Sequence, residues 1–311
     1  MKAKILNDKF KQIKLRGAEL IMKYKRKIGI LVLLIAVFSI IAAGTGIFSD
    51  QGPGQYTYKS IRGEDVMIYG KGLYKHMSAE VAIQGIAQDY ITLFLAVPLL
   101  LIAFYFARKG SLKARLFIAG ILSYFLVTYV FYLIMAMYNA LFLVYAFLLG
   151  SSFFALVLTM FSFDINKLEK NFQKKAPVKF AGGFLIFNAM AIAFLWLSIV
   201  IPPLLAGTIY PVAVEHYTTL IVQGMDLGLL LPLSVVTGVL LRRKKPLAYL
   251  LGPVYLVFLS LLMTALTAKI TAMGMEGYSI IPAIFIIPTF AVIAVVLSYL
   301  LINNVKEKKI N

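Results

Sequence analysis

The chain has 311 residues, 61% of them hydrophobic and 14% charged, and a mean hydropathy of +0.88. So much apolar surface exceeds what one soluble core buries, which excludes a soluble globular protein and points to a bilayer as solvent. The 31 Lys and Arg against 13 Asp and Glu would suit nucleic acid, but no recognition motif accompanies them; no cysteine is present, which removes disulfides, thiolate metal ligands and cysteine nucleophiles.

The first 27 residues form a basic segment whose Ile5, Leu6, Phe10, Ile13, Leu20 and Ile21 fit one helical face among lysines. Two readings stand: a helix lying on an anionic leaflet, or a solvated basic tail that fixes topology. The segment is more charged than a signal peptide's n-region and lacks a small-x-small cleavage pattern, so the following span reads as a retained anchor. Apolar runs long enough for a hydrocarbon core of about 30 Å lie near 28–48, 88–107, 112–135, 139–161, 180–201, 220–241, 246–268 and 279–302.

With the N-terminus inside, 26 of the 31 basic residues fall on the cytoplasmic side, while Lys59, Arg62, Lys71, Lys75 and Lys269 remain outside. That asymmetry predicts a multi-pass plasma membrane protein with both termini cytoplasmic. The expected organisation is the basic segment 1–27, a first four-helix half 28–161 with an outside loop 49–80, a cytoplasmic linker 162–179, a second half 180–303 and a tail 304–311. In the outside loop, Tyr56 and Tyr58, the RGED turn and VMIY predict a small β-hairpin, with Gly70 and Gly72 flexing its exit. So small a hairpin needs support, and it is expected to pack on helix ends.

Aligning Pro98 with Pro232 places a basic cluster ten residues after each, Arg108-Lys109 and Arg242-Arg243. The halves therefore read as parallel repeats, and the expected class is an all-α polytopic protein of two four-helix halves. Each proline removes a backbone donor and predicts a kink, leaving the carbonyls of Phe94 and Gly228 without their usual partners.

The first proline helix, starting at the N-cap Ser78, would be about 43 Å long and carry Glu80, Gln84, Gln88 and Thr92 on one stripe. The second would align Glu215, Thr219, Gln223 and Asp226 in the same way. Asp89 reads as a boundary acid near a helix start, or else as a site residue. Asp226 lies deeper between Gly224 and Gly228, a spacing that permits close helix approach, and reads as helix glue or as chemistry. Hydroxyl stripes at Ser260, Thr264, Thr267, Thr271 and at Tyr124, Thr128, Tyr132 either bond back to their own helices or face a pathway. Asn188 reads as interhelical glue. His76 and His216 with Glu80 and Glu215 match no metal-site spacing, and no metal or cofactor is expected.

The segments IYGKGLY (68–74) and AQD (87–89) resemble an uncharacterised family of prokaryotic multi-pass membrane proteins, a likeness over most of the chain. It implies the eight-span architecture and carries no function.

No Walker A, HExxH or GxSxG motif occurs, so no catalytic residue is assigned and ATP-driven pumping by this chain is excluded. The leading expectation is a small-solute or ion transporter or channel with an outward-facing acidic cavity. In it Asp226, Asp89, Glu80, Gln84, Gln88, Glu215, Gln223, Thr264 and Thr267 bind a proton, a small cation or a cationic solute. The alternatives are an envelope sensor, immunity factor or permease-like subunit that engages a protein partner through the hairpin, and a lipid-modifying enzyme using Glu80, His76 or His216 as acid or base.

Overall fold

The computed structural model describes residues 24–208 and 210–307. Within them eight helices are long and apolar enough to span a bilayer: α1 Lys25–Phe48, α2 Ala79–Arg108, α3 Leu112–Ile134, α4 Phe142–Met160, α5 Val178–Leu205, α6 Ile221–Arg242, α7 Ala248–Met275 and α8 Ala283–Asn303. The chain is an integral membrane protein. Its outward surface is apolar where a water-soluble helix would be polar: Phe187, Phe194, Phe285 and Val292 are each more than 60% exposed. The amphipathic helix considered for the basic N-terminal segment lies outside the described residues, which begin at Tyr24, the N-cap of α1.

In lipid, apolar side chains gain little by meeting one another, so helix contacts depend on close packing through small residues. Helices α1 to α4 pack in a ring, α1 on α2 and α4, and α3 on α2 and α4; in the second group α6 packs on α5 and α7, and α7 on α8. Helix α7 also packs on α2 and α3, which makes it the joint between the groups. It is covered all round, with Leu256, Val257, Phe258 and Leu259 buried in succession. Gly120 on α3 lets α7 approach, since a Cβ there would run into Val257 and the Val254 carbonyl. Gly182 and Gly238 do the same for α5 and α6, each facing the other's carbonyl. The Gly224/Gly228 spacing does not: nothing lies within 4 Å of a Cβ built at either position, so the expected close approach beside Asp226 is corrected to open space.

Just before each of the two prolines the helix widens into a π turn, at Thr92–Ala96 and Asp226–Leu230. Val97 N–H bonds the Thr92 carbonyl and Leu231 N–H the Asp226 carbonyl, five residues back in each case. A wider turn just before Pro98 and Pro232 accommodates the ring and the missing donor.

The hairpin forms as its sequence predicts. Strand β1 (Tyr56–Lys59) pairs antiparallel with β2 (Asp65–Ile68), Tyr58 opposite Val66. Ser60 closes the turn by accepting from Arg62 N (3.3 Å) and Glu64 N (3.2 Å). The exit is anchored rather than flexed: Gly70 at φ 72 accepts from Gly54 N, and Tyr69 N bonds the Met77 carbonyl. Ser78 then caps α2, its Oγ accepting from Val81 N. At the opposite end Glu307 caps the start of α3, accepting from Lys113 N (3.1 Å) and from Ser111 Oγ, while Lys306 N bonds the Asn171 carbonyl and Gln173 N the Asn304 carbonyl. The described part of the tail thus ties the 162–179 segment to the first four helices.

Candidate functional site

Polar groups enter the first four helices along one seam. On α2, Gln88, Asp89 and Thr92 are buried; on α3, Tyr124, Thr128 and Tyr132 stand four residues apart on the facing stripe. Gln88 Nε2 donates to Tyr124 Oη (2.6 Å) and Thr128 Oγ1 (3.3 Å), and Thr92 Oγ1 lies 3.1 Å from Tyr124 Oη. Tyr132 Oη is 2.8 Å from Asp89 Oδ1 and 2.9 Å from the Gly85 carbonyl. From the turn before α2, Tyr74 Oη donates to Asp89 Oδ2 at 2.5 Å. Gly46 on α1 leaves room for that bond, because a Cβ there would collide with Asp89 Oδ2 and Tyr74 Oη. Tyr74, Tyr129, Tyr132 and Tyr145 stack around the acid with ring centroids about 5 to 6 Å apart.

Asp89 is therefore not a boundary acid at a helix start. It is the eleventh residue of α2, well past the first turn, and only 3% exposed. Asp226 is the more open of the two. It is half-buried at the head of its π turn, and Trp196 Nε1, from the single tryptophan of the chain, donates to its Oδ2 at 2.8 Å. Lys269 on α7 lies within electrostatic reach of both acids. Among the described residues its amine makes no hydrogen bond and no ion pair within 4.0 Å.

The predicted stripe from Glu215 to Asp226 does not form, because α6 begins only at Ile221. Glu215 closes a 3₁₀ turn at φ 51, and the reason lies far upstream. Arg62, at the hairpin tip, donates from Nη1 to the Glu215 (3.3 Å) and Tyr217 (2.9 Å) carbonyls and from Nη2 to the Thr218 carbonyl (3.4 Å). These carbonyls would otherwise accept the first amides of a longer α6. Beside them Tyr217 Oη accepts from Ser78 N (3.2 Å), and His216 Nε2 lies 3.1 Å from the His76 carbonyl. Burial pushes the Glu215 carboxyl above the usual range, lowers the His216 imidazole and raises the Tyr217 phenol to about 12. Glu80 on α2 lies within electrostatic reach of Glu215. Among the described residues no three His, Asp or Glu side chains group as metal ligands.

Arg62→Ala is expected to free the 215–218 carbonyls. Amides at 212–220 should exchange with deuterium about ten- to a hundredfold faster, the equivalent of about 1.5–3 kcal/mol for a charge-assisted bond, with exchange in α1 and α4 unchanged. Unaltered protection at 212–220 would show that the contact is incidental.

The other predicted residues fall into two groups. Thr264 and Thr267 donate back to the Ser260 and Met263 carbonyls of their own helix, as Ser260 and Thr271 do, so their protons are committed there. Gln84 and Gln223 are half-buried with no side-chain hydrogen bond among the described residues. Asn188 is buried, and its Oδ1 has no partner among them. Sequence reasoning missed Lys269, Trp196, Tyr74 and Arg62. The legible signal was for Lys269, the only basic residue between Lys245 and Lys306.

The chain matches no protein-family model, no curated protein and no solved structure.

Proposed function

We propose that this chain is a plasma membrane transporter that moves a proton, a small cation or a cationic solute past Asp226. Two four-helix halves rock about the α7 seam, and both termini are cytoplasmic. The reading of the halves as parallel repeats rests on two supports: each π turn starts six residues before its proline, and α2 and α3 adjoin as α6 and α7 do. The orientation rests on the described basic residues at the helix ends away from the hairpin, among them Lys25, Arg26, Lys27, Arg108, Lys109, Arg242 and Arg243, a placement that also suits an anionic inner leaflet.

One observation carries the transport reading. Among the described residues a carboxylate held by a single side-chain hydrogen bond, beside open space at Gly224 and Gly228, lies within electrostatic reach of an amine with no hydrogen-bond or ion-pair partner. Ionisable groups inside spanning helices are costly and mark pathways. A proton or cation arriving at Asp226 takes the place of Lys269's charge, which gives the site two electrostatic states. In proteoliposomes, Asp226→Asn is expected to abolish cation- or pH-driven flux while yield and helix content stay normal. Normal flux in the variant, or loss of folding alone, would remove the support for this role.

A second reading is favoured by a different observation. Tyr56, Tyr58, Ile61 and Met67 of the hairpin are exposed, Ile61 by 92%, and a shallow groove of about 250 Å³ runs from Tyr56 and Tyr58 to His76, Met137 and His216. A sensor or permease-like subunit would present such a surface to a protein partner. Under that reading, changes at Asp226 act only through stability.

A further inference from the structure

Counted as one proton per bond, the hydrogen bonds around Asp89 use one proton more than an ionised carboxylate leaves available. Tyr132 Oη sits 2.9 Å from the Gly85 carbonyl, which can only accept, and 2.8 Å from Asp89 Oδ1. A phenol has one proton. If it goes to Gly85, the Tyr132–Asp89 contact is a hydrogen bond only when Asp89 is the donor. Tyr74 spends its own proton on Asp89 Oδ2 at 2.5 Å, so that oxygen is already an acceptor.

We propose that Asp89 is a dedicated proton-binding site: a neutral carboxylic acid whose Oδ1–H donates to Tyr132 Oη, while Tyr132 donates to the Gly85 carbonyl and Tyr74 donates to Oδ2. Each of the three protons is then used once. Burial agrees. Asp89 is 3% exposed and makes no ion pair within 4.0 Å among the described residues, a setting in which an ionised carboxylate is heavily penalised. The titratable groups facing it are Tyr74 from the turn before α2, Tyr124, Tyr129 and Tyr132 from α3, Tyr145 from α4 and, at longer range, Lys269 from α7; α1 brings Gly46 against its Oδ2.

The same geometry fixes the occupant. A metal ion or organic cation needs open coordination positions on the oxygens, and here both are taken by phenols. The space on the α1 side of Oδ2 is too small even for a methyl group at Gly46. A proton is the one cation that fits without displacing a hydrogen bond. The inference gives the two acids different roles, Asp89 a resident proton and Asp226 the more open position. It stands whether or not the chain transports anything.

Infrared difference spectroscopy on the full purified chain at neutral pH tests this. The wild-type protein should show the C=O stretch of a buried protonated carboxyl, shifting in D₂O. Asp89→Asn should lose that band while keeping the fold, since an amide can donate to Tyr132 and accept from Tyr74. Tyr132→Phe keeps the carboxyl but removes its acceptor, so the band should move to higher frequency; this readout remains if Asp89→Asn fails to accumulate. Asp226→Asn should leave the band in place. If Asp89→Asn loses no carboxyl band, or Tyr132→Phe does not move it, Asp89 is ionised and Tyr132 shares its proton between two acceptors. Flux enters neither arm, so failure here and failure of the transport reading are distinguishable.

Discussion

Lys269→Met is expected to lower flux by at least about tenfold, equivalent to about 1.4 kcal/mol, without harming the fold. Methionine follows the same path as the lysine stem but carries no charge, so Asp226 and Asp89 lose the cation that acts on both. Lys269→Arg keeps the charge and should retain part of the activity. Because the amine has no hydrogen-bond or ion-pair partner among the described residues, removing it leaves no acid stripped of a direct contact, and thermal unfolding in detergent should occur at the same temperature or higher. Loss of flux with stability retained would separate a functional lysine from a structural one. Full flux in Lys269→Met would make it a packing residue of the α7 seam.

The largest loss of stability is expected at Gly46. Alanine there drives a methyl group into Asp89 Oδ2 and Tyr74 Oη, and neither can retreat. Asp89 is tied on its other side to Tyr132, and Tyr74 is fully buried with its ring stacked on that of Tyr132. Overpacking of this kind costs about 1–3 kcal/mol, and losing the Tyr74 bond adds about 1–2 more. Gly44, two residues earlier on the same helix, supplies the control. Nothing lies within 4 Å of a Cβ placed there, so Gly44→Ala should be neutral or stabilise by up to about 1 kcal/mol through helix propensity. Thermal unfolding of the two variants should shift in opposite directions or leave Gly44→Ala at the wild-type value; equal losses would mean that the Asp89 pocket is not what Gly46 protects.

What could be read from the sequence is what local chemistry decides. Eight apolar runs gave eight helices, the Tyr56/Tyr58 alternation gave a strand, and Ser78 capped α2 as its residue type suggests. The α3 stripe of Tyr124, Thr128 and Tyr132 was visible as a period, though the period alone does not say that the stripe meets Gln88 and Asp89. Where the reading failed, the cause lay at a distance along the chain. Glu215 and Thr219 continue the helical period of Gln223 and Asp226, yet Arg62, more than 150 residues upstream, draws their neighbours' carbonyls out of any helix. The Gly224/Gly228 pair has the spacing of a helix contact, but spacing does not specify which face meets a neighbour. Burial reversed the apparent order of the two aspartates: Asp89 lies in the interior because Tyr74, Tyr132 and Tyr145 close around it, and nothing beside Asp89 in sequence announces that cover.

The Arg62 contact also bears on how the chain is made. The start of α6 is set by a side chain that leaves the ribosome some 150 residues before it, so the hairpin must wait, complete but with its tip unengaged, until the 215–218 segment arrives. Order of synthesis and order of assembly coincide only if the N-terminal four helices insert first and act as a template. A second half produced by itself has no such template, and its sixth helix is free to wind further toward Glu215, following the period written in its own residues.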